Sequence, residues 1–220
     1  MADKLGVWNQ ALIHLEAAPI AALTDQVPAV NVFGNAWAGV VEEAFNEGDW
    51  NFAKKSATLV ESGTGSASVG YSYVYDYPDD YLRTVAVSLT TSFNDPYTGY
   101  IDEGGYLHTN FGPVYLRYIR NDLVDDADVA EWPTMFWRYV AAKLAYETCG
   151  RLTQGTSLKA ELSKVADKAL RKAKSVDARQ ERNKPRNEGS WMRARHGGPR
   201  SGDDVSVSVI GSIPLLDGDI

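Results

Sequence analysis

The chain has 220 residues, 44% of them hydrophobic and 23% charged, and a formal net charge of −7. That length suits one large domain or two small ones with ample core, and the composition is ordinary for a globular protein. No apolar run approaches the ~20 residues needed to span a bilayer; the opening M-A-D-K-L-G gives no expectation of a secretory signal; the one cysteine excludes an internal disulfide and a cysteine-based zinc site.

Charge is unevenly spread. Lys and Arg concentrate between Lys159 and Arg200, which leaves the remainder strongly acidic. Such a chain is repelled by nucleic acid as a whole, while its C-terminal third suits an acidic partner.

The first predicted helix runs from Leu5 to Ala17, with Asp3 as N-cap. Leu5, Trp8, Leu12 and Leu15 make its apolar face, and Pro19 stops it. In the link that follows, Ile20 and Leu23 are expected to tuck under the helices. A second helix is predicted from Ala29 to Glu47. Phe33, Trp37, Val41 and Phe45 fall four apart, flanked by Ala36, Val40 and Ala44, and Gly48 is the stop.

From Asp49 to Asn121 the texture becomes that of strands. Trp50 and Phe52 are expected to open the first strand, and the small, polar run 61–70 reads as a long hairpin loop. Tyr71, Tyr73, Tyr75 and Tyr77 then alternate, which places four rings on one face of a strand. Pro78 ends that ladder and Asp79-Asp80 supply turn chemistry, so 71–89 reads as strand–turn–strand. Further strands are predicted at 84–89, 97–101, 106–109 and 114–120. In the last, Val114, Leu116 and Tyr118 face opposite to Tyr115, Arg117 and Ile119. The expectation is one antiparallel sheet or small barrel of five or six strands.

An acidic connector, Asp122 to Glu131, leads to Trp132-Pro133 and a third helix reaching Leu152, with Met135, Phe136, Tyr139, Ala142, Leu144 and Tyr146 as its bulk. Cys149 lies in this pattern and reads as a small buried hydrophobe rather than a nucleophile. Gly155 breaks the helix, Thr156 is the next cap, and a fourth helix runs from Ser157 to Arg182. Leu158, Leu162, Val165, Ala169 and Val176 line its apolar side, with Lys and Arg opposite. Residues 183–220 lose helical periodicity: a basic stretch with one aromatic, Trp191, precedes an alternating run at Val205, Val207 and Val209. The fold class expected is α+β: a mainly antiparallel bundle of four helices (1–48 and 122–182), an inserted antiparallel β domain (49–121) and an extended C-terminal arm (183–220).

Chemistry is sparse in the pattern. His14, His108 and His196 lie in three different elements without metal-ligand spacing, and His14 reads as a helix-surface residue. The acidic pairs Asp79/Asp80 and Asp102/Glu103 read as turn formers rather than a glycosidase pair. The run containing Asp125, Asp126 and Asp128 lacks the EF-hand register. The glycine patterns match no nucleotide-binding loop, and no Ser, Lys or His is placed to activate a nucleophile. No catalytic residue, metal ligand or cofactor is therefore assigned. Arg179, Arg182, Arg186, Arg193 and Arg195 around Trp191 have the composition of an interface anchor.

The order of motifs resembles the tail tubular protein A, or head-to-tail adaptor, family of short-tailed phages. Asn9 precedes P-I-A-A-L-T-D (Pro19 to Asp25), and W-N-F-A (Trp50, Phe52) follows the second helix. Tyr73, Tyr75, Pro78, Asp80 and Arg83 match a Y-x-Y-x-x-P-x-D-x-x-R core. L-H-T-N (107–110) stands before V-Y-L-R-Y-I, and Pro133 with Phe136 opens the third helix ahead of an alanine-rich A-x-x-L-A. The resemblance covers residues 5–180 and departs at Glu16-Ala17, where the family often has Gly before its proline.

It implies a subunit of a dodecameric ring between the portal protein and the tail nozzle, with tail fibre or tailspike proteins attached nearby. Double-stranded DNA would pass through the lumen without specific binding. The arm, with Trp191, Arg193 and Arg195, would contact the portal, and the protein would reside in the virion after assembly in the host cytoplasm. Two other readings compete: a carbohydrate- or peptide-binding module using the tyrosine sheet, and a cell-wall hydrolase acting through Asp79 or Asp80.

Overall fold

Apolar side chains recurring every three to four residues build four helices, and the third is buried on nearly every side because the other three pack around it. The structure, a computed structural model, describes residues 3–122, 128–153 and 156–180. The helices are α1 (Lys4–His14), α2 (Pro28–Asn46), α3 (Thr134–Leu152) and α4 (Thr156–Ala178). Between α2 and α3 lie six strands: β1 (Lys54–Thr58), β2 (Tyr73–Asp76), β3 (Tyr81–Ser88), β4 (Tyr100–Glu103), β5 (Tyr106–Thr109) and β6 (Tyr115–Arg120). The class is α+β, with the strands inserted between helices as expected. The arm at 183–220, the loop at 123–127 and Gly155 lie outside the described residues, as does the side chain of Thr156.

Asp3 caps α1, its carboxylate accepting the Gly6 N–H at 2.9 Å. The helix stops at His14, three residues earlier than the sequence suggested and ahead of Pro19. The break comes at Glu16, whose φ of 56° is left-handed and cannot continue a helix. Trp8, Leu12 and Leu15 of this segment meet Phe33, Trp37, Val41 and Phe45 of α2 in a core completed by α3 and α4, with Ile20 buried and Leu23 packed beneath it. Alanines at 141, 142 and 145 keep α3 thin where its neighbours approach.

In α4 the buried line is Leu162, Ala166 and Ala173, with Leu158, Ala169 and Leu170 beside it. Val165, read from the sequence as part of that line, is 38% exposed. One residue on, Ala166 holds the inward position, because small side chains let α4 sit close to α3.

The strands form two three-stranded antiparallel sheets, in the orders β1-β6-β3 and β2-β5-β4, rather than one sheet or barrel. Consequently β2 and β3 are not a hairpin: Pro78-Asp79-Asp80 carries the chain from one sheet to the other. Trp50 and Phe52 do not open a strand either. Residues Asn51–Ala53 form a 3-10 turn, and pairing begins at Lys54. The L-H-T segment lies in β5, the strand expected at 106–109, and β6 follows it as expected.

β6 shows how the layers join. Leu116 and Tyr118 enter a core shared with Tyr75 and Leu107 of the second sheet, while Ile119 enters the helical core. The first sheet therefore has an apolar face on each side, and the opposed faces read from the sequence of β6 hold.

The four-tyrosine face does not hold. Tyr75 is buried between the sheets, Tyr77 and Tyr71 are half-buried outside the strand, and Tyr73 is 38% exposed. Val74, on the opposite side of β2, is also buried, because the segment 61–72 covers that face. A strand buried on both faces has no open ladder to offer.

Candidate functional site

The residues of the motif order are the joints of the fold. Asn9 clasps the link after α1: its Oδ1 accepts the Ile20 N–H at 2.9 Å and its Nδ2 donates to the Ile20 carbonyl at 3.1 Å. A side-chain amide bonding both groups of one peptide residue fixes that residue as a strand neighbour would. Asp25 finishes the link, one carboxylate oxygen accepting the N–H groups of Ala21 and Ala22, each at 2.9 Å. Pro19 lies just before this clasp and is exposed.

Trp50 and Phe52 enter the helical core from the β side. The Trp50 Nε1 donates to the Ala44 carbonyl at 2.9 Å, and both rings pack on Phe136 with centroids 4.9 Å away. Phe45 and Trp132 complete the cluster around Phe136 at 5.0 and 5.2 Å. Pro133 precedes α3 at its N-cap.

Asp80 joins three elements. Its Oδ2 pairs with Lys55 of β1 at 2.6 Å, its Oδ1 accepts the Tyr118 hydroxyl of β6 at 2.8 Å, and its carbonyl accepts the Asn121 N–H at 2.8 Å. Burial pushes this carboxyl up, but the Lys55 and Tyr118 hydrogen bonds outweigh it and hold the group below its ordinary range. Burial and the Asp80 carboxylate push the Tyr118 phenol up. Arg83 donates to the Gly48 carbonyl at 3.1 Å and to Asp49 at 2.7 Å, tying β3 to the chain leaving α2. Asp79 is exposed and makes no pair with Asp80, whose two oxygens are both engaged.

One network has only a faint signal in the sequence. Lys143 of α3 is only 6% exposed. Its ammonium pairs with Glu43 at 2.9 Å and with Glu47, both on α2 or its C-cap, while the Tyr139 hydroxyl donates to Glu47 at 2.6 Å. Burial lowers Lys143, but the Glu47 and Glu43 hydrogen bonds outweigh it and raise the ammonium above its usual value. Burial raises Glu47, and the Lys143 and Tyr139 hydrogen bonds reverse that, holding the carboxylate low. Burial, then Glu47, pushes Tyr139 up. Glu43 and Glu47 lie four apart on α2, which was the available hint of a facing cation. A lysine whose ammonium is favoured by two carboxylates is a poor nucleophile.

Asp177 ties down the last turn of α4. Its carboxylate accepts the Asn51 N–H at 3.0 Å, and its carbonyl accepts the Asn51 Nδ2 at 2.9 Å. Arg179, just beyond α4, is exposed, whereas Arg182, Arg186, Trp191, Arg193 and Arg195 lie outside the described residues. Lys164, Lys168, Arg171, Lys172 and Lys174 form the exposed basic side of α4.

The two described histidines, His14 and His108, lie in separate elements. His14 is half-buried rather than on the open surface, and burial lowers its pKa; His108 is buried within β5. His196 lies outside the described residues. Among the described residues no group of three His, Cys, Asp or Glu side chains could hold a metal ion. Cys149 is fully buried, as its place in the helical pattern suggested.

No protein-family model and no curated protein sequence matches the chain.

Proposed function

We propose that the chain is a head-to-tail adaptor of a short-tailed phage: a structural subunit that forms a ring between the portal protein and the tail nozzle. The observation that carries this reading is the ordered motif set, whose members Asn9, Asp25, Trp50, Phe52, Asp80, Arg83 and Phe136 fasten the link after α1, the strand-entry segment and the first sheet. A family motif made of such joints is expected where rigidity of the subunit, rather than catalysis, is what assembly requires.

In this reading the four helices are an antiparallel bundle and 183–220 an extended arm. The bundle and arm face the portal, and the β part supports the nozzle and the fibre or tailspike. The ring is a dodecamer, needs no cofactor, has no enzymatic role and stands in the virion after assembly in the host cytoplasm. DNA traverses the lumen without specific binding, which suits a net charge of −7. No helix among the described residues is long and apolar enough to cross a membrane, and none is required.

The portal anchors are Arg179, Arg182, Arg186, Trp191, Arg193 and Arg195. Arg with Trp combines bidentate pairing and a large apolar face, the usual content of an interface centre. Co-sedimentation with portal rings of the same virus tests this. Trp191→Ala combined with Arg193→Ala and Arg195→Ala should abolish co-sedimentation while leaving the thermal melt unchanged. Undiminished binding by that variant would remove the arm as the anchor.

A further inference from the structure

The outer face of the second sheet is covered by a strap of chain, residues 61–72, rather than by another helix or sheet. The strap is poor in apolar anchors. Val69, its largest aliphatic residue, is fully exposed, and the remainder is mostly Gly, Ser, Thr and Ala. Polar contacts hold it: the Ser62 N–H donates to the Val74 carbonyl at 2.8 Å, the Ser68 hydroxyl to Glu103 at 2.6 Å, and the Asn110 Nδ2 to the Gly70 carbonyl at 3.0 Å. The central contact is to His108, 3% exposed, whose Nδ1 receives the Ser68 backbone N–H at 3.2 Å.

The two ring nitrogens of His108 have fixed roles. Nδ1 faces a backbone N–H, which only donates, so Nδ1 must carry a lone pair. Nε2 lies 3.2 Å from the Glu103 carbonyl, which only accepts, so Nε2 must carry the proton. The clasped ring is therefore neutral, with both nitrogens satisfied. A second proton has one place to go, Nδ1, where it would point at the Ser68 N–H. Two donors then oppose each other in a buried site, and the contact is lost.

We propose that His108 is an acid-released latch for the strap at 61–72. Protonation of the imidazole breaks the Ser68 contact and frees the strap from the face that carries Val74, Ile101, Tyr106 and His108. The ionisable groups around the latch assist the release. Glu103 and Asp76 share that sheet face by register, and Glu61 begins the strap, giving an imidazolium anionic partners to turn toward. The Tyr71 and Tyr106 rings, 6.5 and 6.4 Å from the imidazole, are the remaining titratable neighbours. Of the three other ties only that of Ser68 to Glu103 involves an ionisable group, so closure of the strap turns on the imidazole.

Hydrogen exchange of the full chain, read peptide by peptide at about pH 7.5 and about pH 5 and corrected for intrinsic rates, tests the latch. The strap amides at 62–72 should lose protection at the lower pH on the order of fivefold or more, the effect of one hydrogen bond's net worth, while β3 and β6 keep theirs. His108→Gln, whose amide offers one acceptor and one donor but does not titrate, should keep the strap closed at both pH values. Strap protection that is independent of pH in the wild type, or lost equally in His108→Gln, would overturn the proposal. Should that variant fail to fold, nitrogen NMR of the wild-type ring decides: a neutral ring protonated on Nε2 supports the latch, and one protonated on Nδ1 refutes it.

Discussion

Asn51 and Asp177 stand 126 positions apart and are joined by a two-way clasp, the Asp177 carboxylate on the Asn51 N–H and the Asn51 amide on the Asp177 carbonyl. The contact ties the last turn of α4 to the segment that enters the β part. The C-terminal end of α4 is thus fixed against the rest of the fold. Asp177→Ala removes the acceptor of a backbone N–H as well as a side-chain bond, and should cost about 1–3 kcal/mol. Denaturant melts measure the loss. Faster amide exchange confined to the last turn of α4 would show that the clasp acts there.

Phe136 carries the contact between helices and the strand-entry segment, with Phe45, Trp50, Phe52 and Trp132 around it. Phe136→Ala leaves a cavity that these rigid rings cannot fill by collapsing. The expected loss is about 3–5 kcal/mol by chemical denaturation, and Phe136→Leu should recover more than half of it.

Glu16 sits at φ 56° immediately after α1, at the place where the resembled family often has glycine. A left-handed non-glycine residue costs about 1–2 kcal/mol, and glycine returns part of that through its freer unfolded chain. Glu16→Gly should therefore stabilise the protein by about 0.5–1 kcal/mol, seen as a higher denaturation midpoint. A lower midpoint would show that the Glu16 side chain contributes more than its backbone costs.

Stability should fall at both ends of the pH scale for separate reasons. Asp80 and Glu47 are held below their unfolded values, so the folded state binds fewer protons in acid. Their contribution is complete above the unfolded carboxylate range and is lost as pH falls through the folded values. Tyr77, Tyr118 and Tyr139 are held above the ordinary phenol value, Tyr77 by burial first and then by Tyr81. Their contribution is complete below that value and is lost as pH rises past it, near ~10. Thermal melts across pH should show both limbs. Asp80→Asn should flatten the acid limb, and Tyr139→Phe the alkaline one.

Much of the helical half was legible because its signals are local. Asp3, the four-residue spacing from Phe33 to Phe45, and the apolar bulk of α3 each announce a helix and its buried face. The β part resisted because strand pairing is set at long range. Tyr73 and Tyr75 alternate in either topology, and nothing nearby in sequence says that Pro78 leads to a second sheet rather than back along the first. The buried Lys143 was hidden for the same reason: its partners Glu43 and Glu47 are about a hundred residues away. Asn9 and Asp80 were visible as members of a motif, but their work, bonding Ile20 and joining Lys55 to Tyr118, appears only when the partners are in place. The arm residues carry a compositional signal alone.

The adaptor reading is tested most directly by imaging and mass measurement of the purified chain, alone and mixed with portal rings of its own virus. A closed ring of many copies seated on the portal is expected, and no ring when residues 183–220 are deleted. A chain that stays monomeric and ignores the portal under the same conditions would contradict it.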